Sequence, residues 1–448
     1  MTLPAAFTSS LQGIPGYDAT SFREVHESGV QVTSLRYNPA KPVPVSAEAI
    51  PVPWCSQGYY LPQRPSFTLD PLFHAGTYYV QEASSMFLEA VLRQTADLSH
   101  PLLALDLCAA PGGKSTLLQS VLGSNSLLVS NEVIQTRVPV LKENLIKWGL
   151  PQTVVTHNDP RDFSRVPGLF DVLVVDAPCS GSGLFRRDPA AISEWTPGLV
   201  QLCSARQQRI LADSWSCLKE DGLLIYSTCS YSREENEALL DWLAATFPVA
   251  SCRLEVPAEW NITEVQSESG QWGYRFWPHR LQCEGFFIAA FRKQETATTP
   301  VLKSKTVALP TKREVAVAAP WLRHAAAMNW IWQGRQLAAV PARWWETIRL
   351  LQQQLQVRYA GVEVGTLVRD ELLPDHPLAL SVELRPDLPA VDLSREEALQ
   401  YLRKQELSLA TNGRGWTLAR YAGYNLGWMK LLGNRINNYY PKEWRILK

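Results

Sequence analysis

The sequence predicts an α/β fold whose core is a doubly wound, mostly parallel β-sheet. Between residues 81 and 293, short apolar runs alternate with stretches of helical periodicity. The first run leads through a glycine-rich turn into a helical stretch, as in a βαβ unit. Because parallel strands need crossover connections, this alternation indicates one sheet with helices packed on its faces.

Six of the apolar runs are candidate strands. A helix over residues 81–94 precedes them, with Met86 and Phe87 on its apolar face. Further helices are predicted to begin near Lys114 and to end near Lys147. The predicted strands are residues 102–107, 127–130, 153–156, 171–175, 223–227 and 286–291.

Changes of composition divide the chain into five predicted segments. Residues 1–80 are rich in proline and predict a small α+β unit, which is followed by the sheet in residues 81–293. Residues 294–318 are polar, with many Thr, Pro and Lys, and predict a linker. A tryptophan-rich small mixed domain over residues 319–380 and a C-terminal domain over residues 381–448 complete the prediction.

The overall composition is typical of a globular protein. Of the 448 residues, 46% are hydrophobic and 19% are charged. The 43 basic and 43 acidic side chains balance, so a nucleic-acid-binding surface would have to be local. The N-terminus lacks the pattern of a signal peptide, and no apolar run is long enough to cross a bilayer. We therefore expect a cytoplasmic monomer without a membrane partner.

The cysteines do not predict a metal site. There are eight, dispersed over the chain, and none forms a C-x-x-C pair. This pattern predicts neither a structural zinc site, nor any other metal, nor a disulfide framework. A free cysteine is usually a small buried hydrophobe, so a catalytic role requires a second observation.

A glycine-rich loop follows the first predicted strand and is the candidate cofactor loop. It reads Cys108-Ala109-Ala110-Pro111-Gly112-Gly113-Lys114, and the next helix begins at its end. Glycines allow a ligand to approach the backbone, and a helix N-terminus offers free N–H groups. The loop is not a phosphate loop, because Cys108 stands where that motif has its first glycine. The alternative is a tight turn that binds nothing.

Acidic residues stand where three further predicted strands end. Glu132 follows the second strand, Asp159 the third and Asp176 the fourth. A carboxylate about 20 residues after a glycine loop suits the hydroxyls of a ribose. The set suits an adenosine ligand that carries a sulfonium, although each acid alone is also explained as a helix N-cap.

Two cysteines follow predicted neighbouring strands, Cys179 after the fourth and Cys229 after the fifth. Both are expected on the rim that carries the glycine loop. A thiolate that adds to C6 of cytosine makes C5 nucleophilic toward the methyl group of a sulfonium. The second cysteine would assist release, and Asp176 would bind the ring near N3 or the exocyclic amine. Residue types leave the nucleophile open, although Pro178-Cys179 resembles the Pro-Cys nucleophile of DNA cytosine methyltransferases.

These motifs resemble those of the Nop2/Sun family of RNA 5-methylcytosine methyltransferases. The similarity is greatest to its bacterial ribosomal RNA small-subunit methyltransferase F branch, and it covers the catalytic region and a C-terminal segment typical of that branch. The matching segments are residues 107–116, 132–137, 158–159, 176–183, 226–236, 274–280, 285–287 and 426–441, together with Asn144.

The resemblance implies a Rossmann-like core that uses S-adenosylmethionine as cofactor. It implies that Cys229 is the nucleophile and that Cys179 helps to release the product. It also implies cofactor contacts from residues 108–114, Glu132, Asp159 and Asp176. The implied partner is ribosomal RNA or the small ribosomal subunit, most directly 16S RNA, with transfer RNA as the alternative because family members act on both.

Local basic and aromatic residues predict where RNA binds. Between positions 411 and 448 there are seven basic residues and one acidic residue, with tryptophan and tyrosine interleaved. Such a mixture suits phosphate contact and base stacking, or else the aromatic residues form the core of a small domain. The predicted RNA contacts are Arg186 and Arg187, next to the cysteine loop, and Arg414, Arg420, Lys430 and Arg435.

Two other functions remain open at this stage. One is an RNA-binding ribosome-assembly factor whose methyltransferase site is dormant, although every motif residue is retained. The other is DNA methylation, which the second motif cysteine argues against, because the DNA enzymes do not use a cysteine equivalent to Cys229.

Overall fold

The computed structural model describes residues 3–296, 308–409, 413–433 and 435–447. Part of the predicted linker, residues 297–307, therefore lies outside the described residues. Within these ranges, no helix combines the length and the apolar character that a membrane crossing requires.

The N-terminal unit consists of two helices and a small antiparallel sheet. Its strands lie in the order β2-β3-β1-β4. Phe7 and Phe22, from the two helices, pack with the buried rings of Phe185, Tyr231 and Trp277 from the next unit. The elements are α1 (Ala5–Ser10), α2 (Ala19–Glu27), β1 (Thr33–Tyr37), β2 (Ile50–Pro51), β3 (Gly58–Leu61), α3 (Pro71–His74) and β4 (Tyr78–Val80).

The central unit is a large mixed sheet with helices on both faces. Five parallel strands lie in the order β9-β8-β5-β6-β7, and β13, β12 and β11 continue the sheet antiparallel beyond β9. All six predicted strands lie in this sheet, which confirms the α/β fold. The elements are α4 (Leu88–Thr95), β5 (Leu103–Asp106), α5 (Gly113–Val121), β6 (Leu127–Asn131), α6 (Val138–Trp148), β7 (Thr153–Thr156), β8 (Phe170–Asp176), α7 (Ala190–Glu194), α8 (Pro197–Ser214), β9 (Leu218–Thr228), α9 (Glu237–Thr246), β10 (Val249–Ser251), β11 (Thr263–Gln266), β12 (Trp272–Phe276) and β13 (Phe286–Lys293).

The order in which strands are added to the sheet reverses beside β5, and this sets the position of the loops. From β5 the chain proceeds outward through β6 and β7, then returns to the other side of β5 to form β8 and β9. The loops that follow β5 and β8 therefore diverge from a topological switch point, the place where open α/β sheets bind ligands. The strand interiors are buried on both faces, which explains their nearly continuous apolar runs.

The next segment differs from the prediction in two ways. The predicted linker ends in a true helix, α10, whose capping box joins Thr311 and Glu314. The predicted small domain over residues 319–380 is not separate, because its strand β16 pairs antiparallel with β7 at the edge of the large sheet. The elements are α10 (Lys312–Ala318), β14 (Met328–Gln333), β15 (Gln336–Pro341), α11 (Trp345–Gln354), β16 (Val357–Ala360), β17 (Val362–Val368), β18 (Glu371–Pro374) and α12 (His376–Leu380).

The C-terminal unit is a four-stranded sheet in the order β19-β20-β21-β22. Trp428 and Tyr440 are buried in it, so part of the C-terminal aromatic set forms a core, whereas Tyr439 is exposed. The elements are β19 (Ala390–Asp392), α13 (Arg395–Leu402), β20 (Arg414–Tyr421), β21 (Tyr424–Leu432) and β22 (Ile436–Asn438). Short 3-10 helices lie at Phe67–Leu69, Ser84–Phe87, Pro160–Arg165, Ser182–Leu184, Trp215–Cys217, Arg233–Glu235, Ala258–Trp260, Ala319–Trp321, Ala325–Ala327, Ala342–Trp344 and Lys442–Trp444.

A buried arginine joins the N-terminal unit to the central sheet. Arg36, on β1, donates hydrogen bonds to the carbonyl of Gly113 and to Oγ1 of Thr116 in the first turn of α5, at 3.3 and 2.7 Å. Its guanidinium lies 4.6 Å from the ring centroid of Trp148 at the end of α6. Burial lowers the pKa of Arg36 only to about 10, so the side chain stays charged at neutral pH.

We expect Arg36→Ala to destabilise the protein by about 3 kcal/mol, because it leaves several buried acceptors without a donor. Urea denaturation of the two proteins measures the difference. Arg253→Ala is the matched control, since Arg253 makes an exposed ion pair with Glu264 and its loss should change little. Equal midpoints for Arg36→Ala and the wild-type protein would contradict this account of the contact.

Candidate active site

The two predicted cysteines lie side by side at the rim of the central sheet. The Sγ atoms of Cys179 and Cys229 are 2.9 Å apart, and both residues are free, partly exposed thiols. The parallel register of β8 and β9 pairs Asp176 with Ser227, so the loops after the two strands emerge together. The structure thus brings together two residues that are 50 positions apart in sequence.

The surroundings of Cys179 favour its protonated form. The hydrogen bond with Cys229, followed by burial, raises the pKa of Cys179 well above its usual value. Cys179 is therefore a thiol at neutral pH.

Asp176 stands at the end of β8 between the cysteines and the glycine loop. Its Oδ1 accepts a hydrogen bond of 2.7 Å from Ser227, and its Oδ2 lies 2.8 Å from Nζ of Lys114. Burial alone would lower the pKa of Lys114, but the Asp176 carboxylate raises it above the usual value, so the ion pair persists. The structure therefore couples the glycine loop directly to the cysteine loop.

The glycine loop follows β5 and leads into α5, as predicted. Gly112 has φ +116°, a conformation that L side chains rarely adopt, and this turn brings the loop close to α6. Asn144, on α6, donates a 2.8 Å hydrogen bond to the carbonyl of Pro111, and Arg137, which directly precedes α6, donates to the carbonyl of Ala110. The loop is thus held on the side of α6. Its opposite side, between Cys108 and Lys114, lies toward the switch point.

Two buried carboxylates beside this loop fit a cationic adenosine cofactor. Oδ2 of Asp106 accepts a hydrogen bond from Ser115, whereas the buried Oδ1 has no partner among the described residues. Burial raises the pKa of Asp106 to about 7. Glu132, at the end of β6, is 2% exposed, and its Oε1 accepts a 2.8 Å hydrogen bond from the N–H of Ile134. A positively charged ligand would relieve the cost of holding these acids together.

Asp159 has a second, local function in the structure. It caps the short helix Pro160–Arg165, where its Oδ1 accepts a 3.2 Å hydrogen bond from the N–H of Arg161. The side chain remains partly exposed near the end of β7. The N-cap explanation that the sequence left open therefore applies to this residue.

The predicted RNA-binding residues fall into two groups. Arg186 is 7% exposed and donates to the carbonyls of Cys283 and Val30, at 3.1 and 2.5 Å. The prediction that Arg186 contacts an RNA phosphate is wrong, because its guanidinium is buried and bonded to backbone carbonyls of the protein itself. The exposed residues are Arg187, Arg414 and Arg435, while Arg420 and Lys430 are half-buried, with Arg420 bonded to Asn425 and Lys430 5.2 Å from the ring of Trp416.

Sequence analysis missed Glu235, which lies beneath both cysteine loops. It is fully buried, and its carboxylate accepts hydrogen bonds from Ser180 and Ser230. The sequence did offer one indication of its importance, since Glu235 lies in residues 226–236, the segment around Cys229 that matches the family. In the described part of the chain, no group of three or more His, Cys, Asp or Glu residues is placed to hold a metal ion.

The sheet order, the glycine loop and the acids that end successive strands define an S-adenosylmethionine-dependent methyltransferase of the Rossmann-like class. The chain belongs to the 16S rRNA methyltransferase RsmB/F family, whose model matches residues 95–292. Two further models match, the N-terminal domain of 16S rRNA methyltransferase RsmF over residues 3–83 and the methyltransferase RsmF PUA domain over residues 388–446. The cofactor is S-adenosylmethionine.

Curated relatives match almost the whole chain. The ribosomal RNA small subunit methyltransferase F of Escherichia coli O127:H6 is 31% identical over 411 residues, which cover 88% of this chain and 84% of that protein. The protein of the same name from Shigella boydii serotype 4 is 30% identical with the same coverage.

Solved structures share the fold. A methyltransferase homolog protein from Pyrococcus horikoshii is 26% identical, with a TM-score of 0.52 over 65% of this chain and 100% of that one. NSun6 from Pyrococcus horikoshii, solved with SFG, has a TM-score of 0.53 at 17% identity over 65% of this chain and 98% of that one. At that identity the second similarity concerns the fold alone.

We expect the pKa of Asp106 to make stability fall as the pH rises. An acid whose pKa is higher in the folded protein than its usual 3.8 favours folding while protonated, and this contribution is lost as pH rises through about 7. Asp106→Asn stays neutral, so without cofactor it should raise Tm relative to the wild-type protein more at about pH 8 than at about pH 5.

Calorimetry of both proteins at the two pH values measures this difference. The exposed Asp188 provides the control variant Asp188→Asn, which makes the same change of side chain at the surface. A pH-independent effect of Asp106→Asn would show that the carboxyl ionises normally.

Proposed function

We propose that this protein methylates C5 of cytosine in 16S ribosomal RNA through a covalent adduct between Cys229 and C6 of the base. The observation that carries the proposal is the pair of thiols 2.9 Å apart beside the Asp176–Lys114 ion pair. Two thiols at one end of a cofactor-binding sheet supply both a nucleophile and a second group for a reversible addition.

Cys229 begins the reaction as a thiolate. Its sulfur forms a bond to C6, the electrons of the C5–C6 double bond move onto C5, and N3 takes up a proton from water. The carbon C5 becomes the nucleophile for the methyl group that bound S-adenosylmethionine would supply. Water then accepts the proton from C5, the electrons of that C–H bond restore the C5–C6 double bond, and the C6–sulfur bond breaks with its electron pair returning to the Cys229 thiolate, while N3 gives its proton back to water.

Cys179 assists the second half of the reaction. Its raised pKa keeps a proton on its sulfur at neutral pH, so the Cys179 thiol can donate a hydrogen bond to the Cys229 sulfur as that sulfur leaves C6 as a thiolate. Asp176 lies on the same rim and has one carboxylate oxygen paired with Lys114 and the other with Ser227. Because 34% of its side chain is exposed, Asp176 can also hold the cytosine ring through N3 or the exocyclic amine.

The cofactor is held by the glycine loop and the strand ends around it. Residues 108–114 would offer backbone groups, and Glu132 would accept hydrogen bonds from the ribose. Oδ1 of Asp106, which has no hydrogen-bond partner among the described residues, would lie toward the positive charge of the cofactor. Asp159 has only part of its carboxylate free for a ligand, because one oxygen caps a helix.

Ribosomal RNA is the substrate that the relatives favour. Proteins named ribosomal RNA small subunit methyltransferase F match most of this chain, and the C-terminal unit matches a PUA domain model. Exposed basic residues, Arg187 beside the cysteine loop and Arg414 and Arg435 at the C-terminal sheet, would contact phosphates. The target base must leave its stack to reach the thiols.

We expect Cys229→Ser to lower methylation of RNA by at least about a thousandfold, because a serine hydroxyl is not ionised at neutral pH. Cys179→Ala should instead accumulate a covalent protein–RNA adduct. Transfer of labelled methyl groups and denaturing gel electrophoresis measure the two effects. Cys252→Ala, at a partly buried thiol outside the site, is the control. An adduct that builds up in Cys229→Ser but not in Cys179→Ala would reverse the two assignments.

Bisulfite sequencing of RNA from a strain that lacks this protein tests the substrate. We expect one or a few cytosines of 16S RNA to lose protection in the deletion strain and to regain it with the wild-type protein. Complementation with Cys229→Ser should fail to restore protection. Protection that is lost only in transfer RNA would reject the ribosomal substrate but keep the chemistry.

A further inference from the structure

Glu235 is a buried acid that the reaction described above does not use. It ends the short helix Arg233–Glu235, six positions after Cys229, and it is fully buried. No cation lies within ion-pair distance of its carboxylate in the described ranges of the chain. Its neighbour Glu237 differs, because it forms a buried, bidentate ion pair with Arg275 at 2.5 Å. A buried carboxylate without a counter-ion is costly, so its presence needs an explanation.

The hydrogen bonds of Glu235 provide that explanation. Oε1 accepts from the backbone N–H of Ser180 at 2.8 Å and from Nε2 of Gln207, on α8, at 3.1 Å. Oε2 accepts from the hydroxyls of Ser180 and Ser230, both at 2.5 Å. Ser180 directly follows Cys179 in the chain, and Ser230 directly follows Cys229. One carboxylate therefore ties the residue after each reactive cysteine to the same point.

We propose that Glu235 is the positioning residue of the cysteine pair, whose carboxylate holds the two loops so that both thiols reach one base. This inference rests on the proposed function, since it concerns how that site is assembled. Four donors converge on two oxygens, and they replace the solvation that a counter-ion would otherwise supply. The same donors come from both loops and from α8, so these bonds hold the two cysteine loops together.

The backbone around Glu235 reinforces the arrangement. Tyr226, on β9, donates a 2.7 Å hydrogen bond to the carbonyl of Glu235, which fixes the acid to the strand that precedes Cys229. The N–H of Gly183 donates to the carbonyl of Cys229 at 2.8 Å, and the N–H of Tyr231 donates to Oγ of Ser182 at 3.0 Å, so backbone groups also join the loops. The carboxylate is therefore one of several connections between the loops, and it is the one that bonds to the residue after each cysteine.

Two variants distinguish the contribution of the shape and hydrogen bonds of the Glu235 side chain from the contribution of its charge. Glu235→Gln keeps the shape, and its amide can donate to the two serine hydroxyls while its oxygen accepts from Ser180 N–H and Gln207. Glu235→Ala removes every hydrogen bond that the carboxylate of residue 235 accepts. Glu363→Gln is the matched control, because Glu363 is a buried carboxylate outside the site that binds Lys142.

The first measurement does not depend on methylation. With oxidised glutathione, the thiols of Cys179 and Cys229 form a disulfide, and each glutathione disulfide is reduced to two thiols. The equilibrium constant reports how closely the two sulfur atoms are held. We expect Glu235→Ala to lower this constant by at least about tenfold, and Glu235→Gln and Glu363→Gln to change it by less than about threefold.

The second measurement uses RNA in which the target cytosine is replaced by 5-fluorocytidine. Its C5 carries fluorine instead of a removable proton, so a covalent adduct at C6 accumulates and is counted on a denaturing gel. Relative to the wild-type protein, we expect Glu235→Ala to form the adduct at least about tenfold more slowly. Its dissociation constant for S-adenosylmethionine should not change, because the glycine loop is not in contact with Glu235.

The outcomes distinguish the two proposals. If the wild-type protein forms no adduct with the fluorinated RNA, the proposed function fails, whatever Glu235 does. If the wild-type protein forms the adduct and Glu235→Ala matches it in both the adduct rate and the thiol equilibrium, the positioning role is wrong. If Glu363→Gln lowers the thiol equilibrium as much as Glu235→Ala, the effect is general destabilisation and the inference is overturned.

Discussion

The parallel register of β8 and β9 is the constraint on which the active site depends. It sets Asp176 opposite Ser227, and the hydrogen bond between their side chains lies at the point where both strands end. The two loops leave the sheet in step, and their cysteines meet within contact distance. A shift of one residue would reverse the face on which every side chain of the strand lies, and it would separate the sulfur atoms.

The glycine loop shares this edge because β5 lies next to β8. Lys114, in the first turn of α5, crosses from the loop to the carboxylate of Asp176. This ion pair thus joins the cofactor half and the base half of the site. The side chains of Lys114 and Asp176 are 13% and 34% exposed, so solvent screens their attraction only weakly.

Much of the central sheet could be predicted from the sequence, because its strands are buried on both faces and read as uninterrupted apolar runs. The rim residues were also predictable, since each follows such a run directly. The sequence did not reveal that β16 joins the same sheet, because Val357–Ala360 is short and lies far along the chain. It did not reveal the burial of Arg186 or the bonds of Glu235, because these depend on contacts between segments that only the folded chain brings together.

The pairing of β16 with β7 has a consequence for synthesis of the chain. The edge of β7 exposes unpaired backbone groups until Val357–Ala360 has left the ribosome, some 200 residues after β7 itself. During that interval the nascent sheet carries an open, apolar border of the kind that associates with other chains. Completion of the sheet is therefore delayed until late in translation, and premature termination before residue 357 would release a protein with an aggregation-prone edge.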